Sequence, residues 1–421
     1  MSDAVLGIDV GTSGVRIAAR GRDGAMLAMS QAAMATPLTD FGRSLQDPAI
    51  WWTALSEAFA ALDLSSLDIL ALAIDGTSGT ILPCDGAGAP MGLGSLYNDL
   101  AAPEQVKRVT EAAPAETAAR GGTSPLARAL AMPGTSARII HQADWLQGKF
   151  SGRFDVTDEN NALKSGYDPV SRRWPEWIAA TGFDVRRFPE VVPAGTRTGT
   201  ILPEVARAFR LPASTAIVAG TTDGCAAFLA SGAREAGDGV SSLGTTLTLK
   251  LLSDKPVFAP DYGIYSHRIG EQWLAGGASN TGGAVLAREF TREDMVRLSA
   301  LIDPAVPTGL DYYPLPKPGE RFPVNDPGFA PRMTPRPDDD RLYFQGLLEG
   351  IAAVEALGYR RLAELGASPL RSIRSVGGGA GNEAWTRIRL AILGVPARPA
   401  ASDHAAMGTA RLAWRGIGHE D

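Results

Sequence analysis

The run Val5-Leu6-Gly7-Ile8-Asp9-Val10-Gly11-Thr12-Ser13-Gly14-Val15-Arg16-Ile17-Ala18-Ala19-Arg20 decides the fold class. Residues 5–10 are a short apolar run that suits a buried strand. Gly11 to Gly14 is turn-like, and residues 15–20 resume an extended pattern. The stretch is therefore a hairpin with small, hydroxyl-rich residues at its tip.

Working outward, Asp47-Pro48 is a helix start, a capping residue followed by proline at the first helical position. Trp51, Trp52, Leu55, Phe59 and Leu62 follow at helical spacing. Residues 69–74 (Ile-Leu-Ala-Leu-Ala-Ile) form a second buried strand ending at Asp75-Gly76-Thr77-Ser78-Gly79. Strands and helices alternate, so the architecture is α/β. The middle of the chain repeats the idea. Ala216-Ile217-Val218-Ala219 runs into Gly220-Thr221-Thr222-Asp223-Gly224, read as a turn, and Val240 to Leu249 carries Gly244-Thr245-Thr246 at its centre. Both read as strand, Gly-Thr-Ser/Thr turn, strand, so a hairpin with such a turn occurs once in each half. Two related domains are expected, 1–225 and 226–421, with a last helix at about 402–415 packing back on the first.

Residues 303–340 are proline-rich and aperiodic, which predicts a long surface excursion. Leu342, Leu347, Leu348, Ile351, Val354 and Leu357 mark the helix after it. Val376 and the glycines behind it lead into a helix through Trp385, Ile388, Ile392 and Leu393, stopped by Gly394 and Pro396.

Totals narrow the function. With 421 residues, 45% apolar and 20% charged, the chain has material for substantial cores. A formal charge of −6 with no basic run argues against nucleic acid and anionic membranes as partners. No run of 18 apolar residues exists and no signal-peptide pattern precedes the first strand, so a cytoplasmic protein without a membrane span is expected. Cys84 and Cys225 are read as free thiols, and His141, His267, His404 and His419 are too scattered for a zinc site.

Phosphoryl transfer needs a cradle for phosphate oxygens, a divalent cation and a group to take the acceptor proton. Gly-Thr-Ser and Gly-Thr-Thr turns suit the cradle, because glycine admits close approach while amides and hydroxyls donate. Asp9 closes a buried strand beside the first turn, where it could position Mg2+ through water or serve as a capping residue. Asp223 follows another buried strand and could accept a hydroxyl proton. Gly377-Gly378-Gly379-Ala380 puts bare backbone at a helix start, open to a nucleobase or phosphate, or serving only tight packing. Asp40-Phe41-Gly42 spells a protein-kinase motif without its companions, and Gly148-Lys149 lacks the rest of a Walker A motif.

The ordered set Asp9-Val10-Gly11-Thr12 with Arg16, Asp223, Leu243-Gly244-Thr245-Thr246 and Gly377-Gly378-Gly379-Ala380 resembles the FGGY carbohydrate kinase family. Gly319-Glu320-Arg321-Phe322-Pro323 resembles that family's Gly-Glu-Arg-x-Pro loop, and Leu348-Glu349-Gly350-Ile351-Ala352 its helix signature. The resemblance covers essentially the whole chain. It implies an actin/hexokinase-like fold of two ribonuclease-H-like domains with a central cleft whose closure excludes water, and use of ATP and Mg2+. It assigns Asp9 and Asp223 to the metal, Asp9 through water, with Asp223 as general base. Gly11, Thr12 and Ser13 would face the transferring phosphate, with Thr12 also catalytic, while Gly244, Thr245, Thr246 and Gly282 would hold nucleotide phosphates. Gly378, Gly379, Ala380 and Asn382 would border adenosine. Thr77, Ser78, Asn98 and Asp99, with Asp223, would meet the sugar, although turn and cap chemistry explains the first four equally.

The chain is shorter than typical members. Thr77-Ser78 replaces the Met-His pair usual in xylulokinases, and Tyr97-Asn98-Asp99 lacks the arginine of glycerol kinases. Asp75 to Thr80 together with Asp158 to Asp168 resembles the compact branch associated with D-ribulose. The expected reaction is therefore ATP-dependent phosphorylation of a ketopentose at a terminal hydroxyl, D-ribulose first and D-xylulose second, with glycerol or ribitol behind. An actin-like nucleotide switch and a sugar-kinase-like sensor without turnover are the competing readings. A monomer or homodimer acting on a small sugar is expected.

Overall fold

The structure, a computed structural model, describes residues 1–419. It divides into two units: Met1–Ala230 with His267–Gly270 and the segment from His404 onward, and Ser231–Ser266 with Glu271–Asp403. In the first unit, the strands Ser2–Val10, Gly14–Gly21 and Met26–Ala33 form an antiparallel meander. The helix Pro48–Ala60 follows, with the Asp47 carboxylate accepting from Ala49 N at 2.9 Å. The chain then returns as Leu67–Gly76, parallel to the first strand, and later as Ala216–Thr222, parallel to Leu67–Gly76. Arg197–Thr200 closes the edge of this six-stranded sheet.

The first strand is buried on both faces, as a central strand in a covered sheet must be. Leu6, Ile8 and Val10 join Trp51, Leu55 and Phe59 of the Pro48–Ala60 helix in one core. Val5 joins Val218, Leu412 and Trp414 in another, beneath the helix Ala405–Gly416. Each such side chain contributes about 1.5–3 kcal/mol of burial. Gly7 lies so close under that helix that a Cβ there would stand 1.8 Å from the Ala406 carbonyl. Only glycine fits.

The second unit repeats the plan in the same chain order. Asp238–Leu243, Leu247–Ser253 and Gln272–Ser279 form an antiparallel meander. The helix Asp340–Glu364 follows, and Ser372–Val376 returns parallel to Asp238–Leu243. The chain is thus a duplicated α/β fold of the actin/hexokinase type, each unit carrying its own mixed sheet.

Two expectations are corrected. Gly220-Thr221-Thr222-Asp223-Gly224 is not a hairpin turn: Gly220 to Thr222 complete the strand and Asp223 opens the helix Asp223–Ala230. Cys225, Ala226, Phe228, Leu229 and Ala230 are buried along that helix, so tertiary packing sets its form. The 303–340 excursion lacks regular elements for most of its length but is not confined to the surface. Leu315 and Phe322 are fully buried and Tyr312 and Tyr313 nearly so, all within the second core.

Candidate active site

In the first unit, three parallel strands end together. The register sets Asp9 opposite Asp75, and Asp75 opposite Thr221. Beyond this row lie the turn Gly11–Ser13, the turn Gly76–Ser78 and Asp223 at its helix start. Side chains and turns outside the carboxyl ends of parallel strands are the usual location of a ligand site in an α/β sheet.

The row is electrostatically demanding. Asp9 is 7% exposed and accepts from Arg16 Nη1 at 3.3 Å. Burial pushes its carboxyl above the ordinary range, opposed by a hydrogen bond from Asp75 and by the Arg16 charge. Asp75 is fully buried and driven much further up, first by desolvation and then by the Asp9 charge. Burial and neighbouring carboxylates together favour a proton on this pair, most strongly at Asp75. Thr409 Oγ1 donates to Asp75 Oδ2. Asp223 is half-buried, with Oδ1 accepting from the Gly224 amide at 2.6 Å. Gly11, Thr12 and Gly14 are half-buried, Ser13 is exposed, and Gly11 N donates to Gly14 O at 3.0 Å.

The turn after the Leu67–Gly76 strand is held from behind by Gln142. Its Oε1 accepts from Thr77 N at 3.2 Å and Thr77 Oγ1 at 3.1 Å. Thr77 Oγ1 also pairs with Thr80 Oγ1 at 2.6 Å, which commits its hydroxyl. Ser78 Oγ and Gln142 Nε2, by contrast, are buried without a hydrogen-bond partner among the described residues. Unmet buried polar atoms of this kind near a strand end are what a hydroxylated ligand could satisfy.

Asn98 and Asp99 part company. Asn98 is exposed. Asp99 is fully buried, with Oδ1 accepting from Arg43 Nε at 2.8 Å and Ser44 N at 2.9 Å, and Oδ2 from Ser95 Oγ at 2.5 Å and Arg43 Nη2 at 3.3 Å. These partners outweigh desolvation and hold its carboxyl below the usual range. Asp99 fixes its segment with both oxygens, leaving little for a ligand.

The second unit contains a cavity of about 1160 Å3. Of the residues expected at a nucleotide, Gly244, Thr245, Gly378, Gly379 and Asn382 line it. Thr246, Gly282 and Ala380 do not. Thr246 and Gly282 press together behind the wall: Gly282 has φ +138°, and a Cβ there would meet Thr246 Cα at 2.8 Å. Gly283 N to Gly244 O at 2.9 Å, and Leu247 N to Thr281 O at 2.8 Å, lash the two segments together. Glu320 fixes them from the excursion, its carboxylate accepting from Ser279 Oγ at 2.6 Å, Asn280 N at 2.8 Å and Tyr313 OH at 3.0 Å. Asn382 caps the helix Glu383–Leu393 through Trp385 N and reaches Ser299 Oγ at 2.8 Å, which ties the helix Arg292–Ser299 to the cavity. Met295, Val296 and Arg292 complete an apolar wall with a basic edge. The volume and lining suit a nucleotide-sized ligand with one flat apolar part and one anionic part.

Sequence reasoning missed Asp75, Gln142, Thr409 and the Met295–Ser299 wall. Asp75 carried a signal, since Ile74-Asp75-Gly76-Thr77-Ser78 echoes Ile8-Asp9-Val10-Gly11-Thr12-Ser13. Thr409 carried none, being 334 residues from its partner.

Comparison with known proteins agrees with this geometry. Residues 239–417 match the model of the FGGY family of carbohydrate kinases, C-terminal domain. A xylulose kinase of Escherichia coli (strain K12) is 26% identical over 440 residues, covering 97% of this chain and 89% of the relative. An L-fuculokinase of Salmonella typhi is 27% identical, covering 67% of this chain and 62% of the relative. Among solved structures, a "xyloylose kinase" from Brucella ovis superposes with a TM-score of 0.86 at 23% identity, over 99% of this chain and 91% of that one. No helix among the described residues is long and apolar enough to cross a membrane.

Proposed function

We propose that the chain is a member of the FGGY family of carbohydrate kinases, similar to xylulose kinases, and that this ATP-dependent kinase phosphorylates a ketopentose at a terminal hydroxyl, D-ribulose first and D-xylulose second. The observation that supports the reading is the row of strand ends in the first unit, where Asp9 stands opposite Asp75 and Asp75 opposite Thr221, with Asp223 opening the next helix and the Ser78 hydroxyl unpartnered among the described residues.

Asp223 is the general base. Its carboxylate accepts the proton of the acceptor hydroxyl as that oxygen bonds to the γ-phosphorus and the bond to the β–γ bridging oxygen breaks, leaving ADP and the sugar phosphate. The Gly224 amide engages one oxygen of Asp223 and fixes its orientation. Thr12 and Ser13 donate to the phosphoryl oxygens from a turn whose backbone is closed by Gly11 and Gly14. Ser78 and Asn98 take sugar hydroxyls, with Thr77 shaping the turn. In the second unit, Gly244 and Thr245 receive the nucleotide phosphates and Gly378, Gly379 and Asn382 border the adenosine.

The donor set fits magnesium. Among the described residues no three metal-ligating side chains cluster, and Mg2+ at phosphate sites takes one or two carboxylates, with water and phosphate oxygens completing its shell. Asp9, through water, and Asp223 would hold it, and when bound it would neutralise charge on the transferring phosphoryl group.

The test is ADP release with Mg-ATP against D-ribulose, D-xylulose, L-ribulose, ribitol, xylitol and glycerol. Sugar-dependent release is expected, falling by about 10²–10⁴-fold in Asp223→Asn. Release that needs no sugar and survives the substitution would instead mean a nucleotide switch. Nucleotide binding with no release on any acceptor would mean a sensor.

A further inference from the structure

The second unit has another cavity, about 340 Å3, that shares no lining residue with the larger one. Three arginines line it: Arg234, Arg374 and Arg398, together with Glu235, Asp238 and the small residues Ser231, Gly232 and Ala401. Arg374 projects from the strand Ser372–Val376 and is 6% exposed. Its Nη1 lies 3.2 Å from Asp238 Oδ2, yet Nε and Nη1 have no hydrogen-bond acceptor among the described residues. Asp238 is already committed. Oδ1 accepts from Ser372 Oγ at 2.5 Å, and Oδ2 from the amides of Arg234 at 2.9 Å and Glu235 at 3.2 Å. Those contacts outweigh its burial and hold its carboxyl below the usual range.

A buried guanidinium whose Nε makes no bond and whose Nη1 has only the ion pair with Asp238 keeps donor capacity for a further acceptor. Two more arginines converge on the same space. Arg234 and Arg398 are exposed, and neither side chain has an ion pair or hydrogen bond among the described residues. Backbone bonds hold both: Arg234 N to Asp238, and Arg398 N to Ile373 O at 2.8 Å. Three guanidiniums against the carboxylates of Glu235 and Asp238 leave the cavity net positive. Planar, multidentate donors of this kind match the oxygens of a phosphate group.

We propose that this cavity binds a phosphate group, free or carried on a monoester, at a place distinct from the nucleotide cavity, with Arg374 as its buried anchor and Arg234 and Arg398 closing over the anion. The site needs no chemistry. It binds.

The experiment uses the full chain in two arms. Crystals soaked in tungstate, a phosphate mimic, should show an anomalous peak against Arg374, Arg234 and Arg398. In solution, inorganic phosphate and ribose 5-phosphate are titrated calorimetrically into the wild-type protein, Arg398→Ala and Arg374→Met, with trinitrophenyl-ATP affinity as control. Arg398→Ala should weaken anion binding about tenfold or more, the equivalent of one charge-assisted contact, with the control unchanged. Tighter binding of ribose 5-phosphate than of phosphate assigns an organic monoester, and equal binding assigns the bare anion; either supports the site. Should Arg374→Met fail to fold, the exposed Arg398 carries the test alone. A tungstate peak only at the nucleotide cavity, or an Arg398→Ala titration matching wild type, overturns it.

Discussion

Two adjacent glycines lining the larger cavity of the second unit, the proposed nucleotide site, should respond to the same perturbation in opposite ways. At Gly378 a Cβ would meet nothing within 4 Å, so an added methyl projects into open space at the cavity wall. At Gly379 the same atom would stand 2.5 Å from Trp385 Cζ3 and 2.9 Å from Leu243 Cβ. Neither has the positive φ that would strain any side chain, so space alone decides. Gly379→Ala overpacks a wall built on a nearly buried tryptophan and should destabilise by about 1–3 kcal/mol. Gly378→Ala should leave stability unchanged or raise it by about 0.4–1 kcal/mol, through the lost freedom of the unfolded chain. Its cost falls on the ligand instead. Where a flat base lies against bare backbone, a methyl group must be displaced or the base lifted, again about 1–3 kcal/mol, which is roughly tenfold to a hundredfold in affinity. Thermal melting gives the first quantity, and calorimetric titration with a non-hydrolysable ATP analogue in magnesium gives the second. Gly378→Ala protein that melts like wild type but binds the analogue tenfold or more weakly confirms the placement. Wild-type affinity in Gly378→Ala would falsify the claim that this glycine face borders the adenosine, whatever happens at Gly379.

The sugar-side residues separate by the same logic of occupied and unoccupied groups. Ser78→Ala removes a hydroxyl that has no partner among the described residues, so KM for the sugar should rise at unchanged melting temperature; Asp99→Asn weakens the bonds that buried Asp99 makes with Ser95, the Ser44 amide and the exposed Arg43, so the melting temperature should fall at unchanged KM. A raised KM in Asp99→Asn with intact stability would return that residue to the substrate. A pH effect comes from Asp158, whose carboxyl is pushed up to about 8 by burial, then by the nearby Asp144 charge. A raised folded-state pKa means the stability it confers is fully present below the unfolded value of 3.8 and is lost as pH climbs through about 8. Between pH 5 and 7 this one group should remove about 2–3 kcal/mol from the unfolding free energy. Asp158→Asn should flatten that slope in denaturant titrations, and an unchanged slope would show that Asp158 is ionised in the native state.

The strand-end chemistry was legible because a parallel sheet turns local sequence into position. A buried apolar run fixes where a strand stops, and parallel neighbours stop at the same edge, so Asp9 and the turn after it could be placed from ten residues of sequence. Asp75 sits in the same pattern one strand over, but read alone its Gly-Thr-Ser tail looks like an ordinary turn. Pairing the two strands in parallel is what sets the two carboxyls opposite each other, and burial there pushes both above the ordinary range. The segment around Asp223 was misread in form, since Asp223 opens a helix and does not sit in a turn. Its helix is made of small residues with little amphipathic contrast, and only the packing of Gly408 against it, with a would-be Cβ 1.9 Å from Ala226 O, reveals how tightly that helix is clamped.

Glu320 shows the converse failure. The excursion around it has no periodicity, so pattern reading sent it to the surface. Yet one carboxylate accepting from Ser279, Asn280 and Tyr313 ties that irregular segment to the wall behind the cavity. A loop without secondary structure must satisfy its polar groups through specific side chains. Those partners lie 7 to 41 residues away in sequence, Tyr313 nearest and Ser279 farthest. Periodicity measures burial along one element, whereas Glu320 and Thr409 act between elements. The residues that hold this site in place are therefore the ones local pattern could not reach, and their loss should loosen ligand binding before it removes any group that touches the ligand.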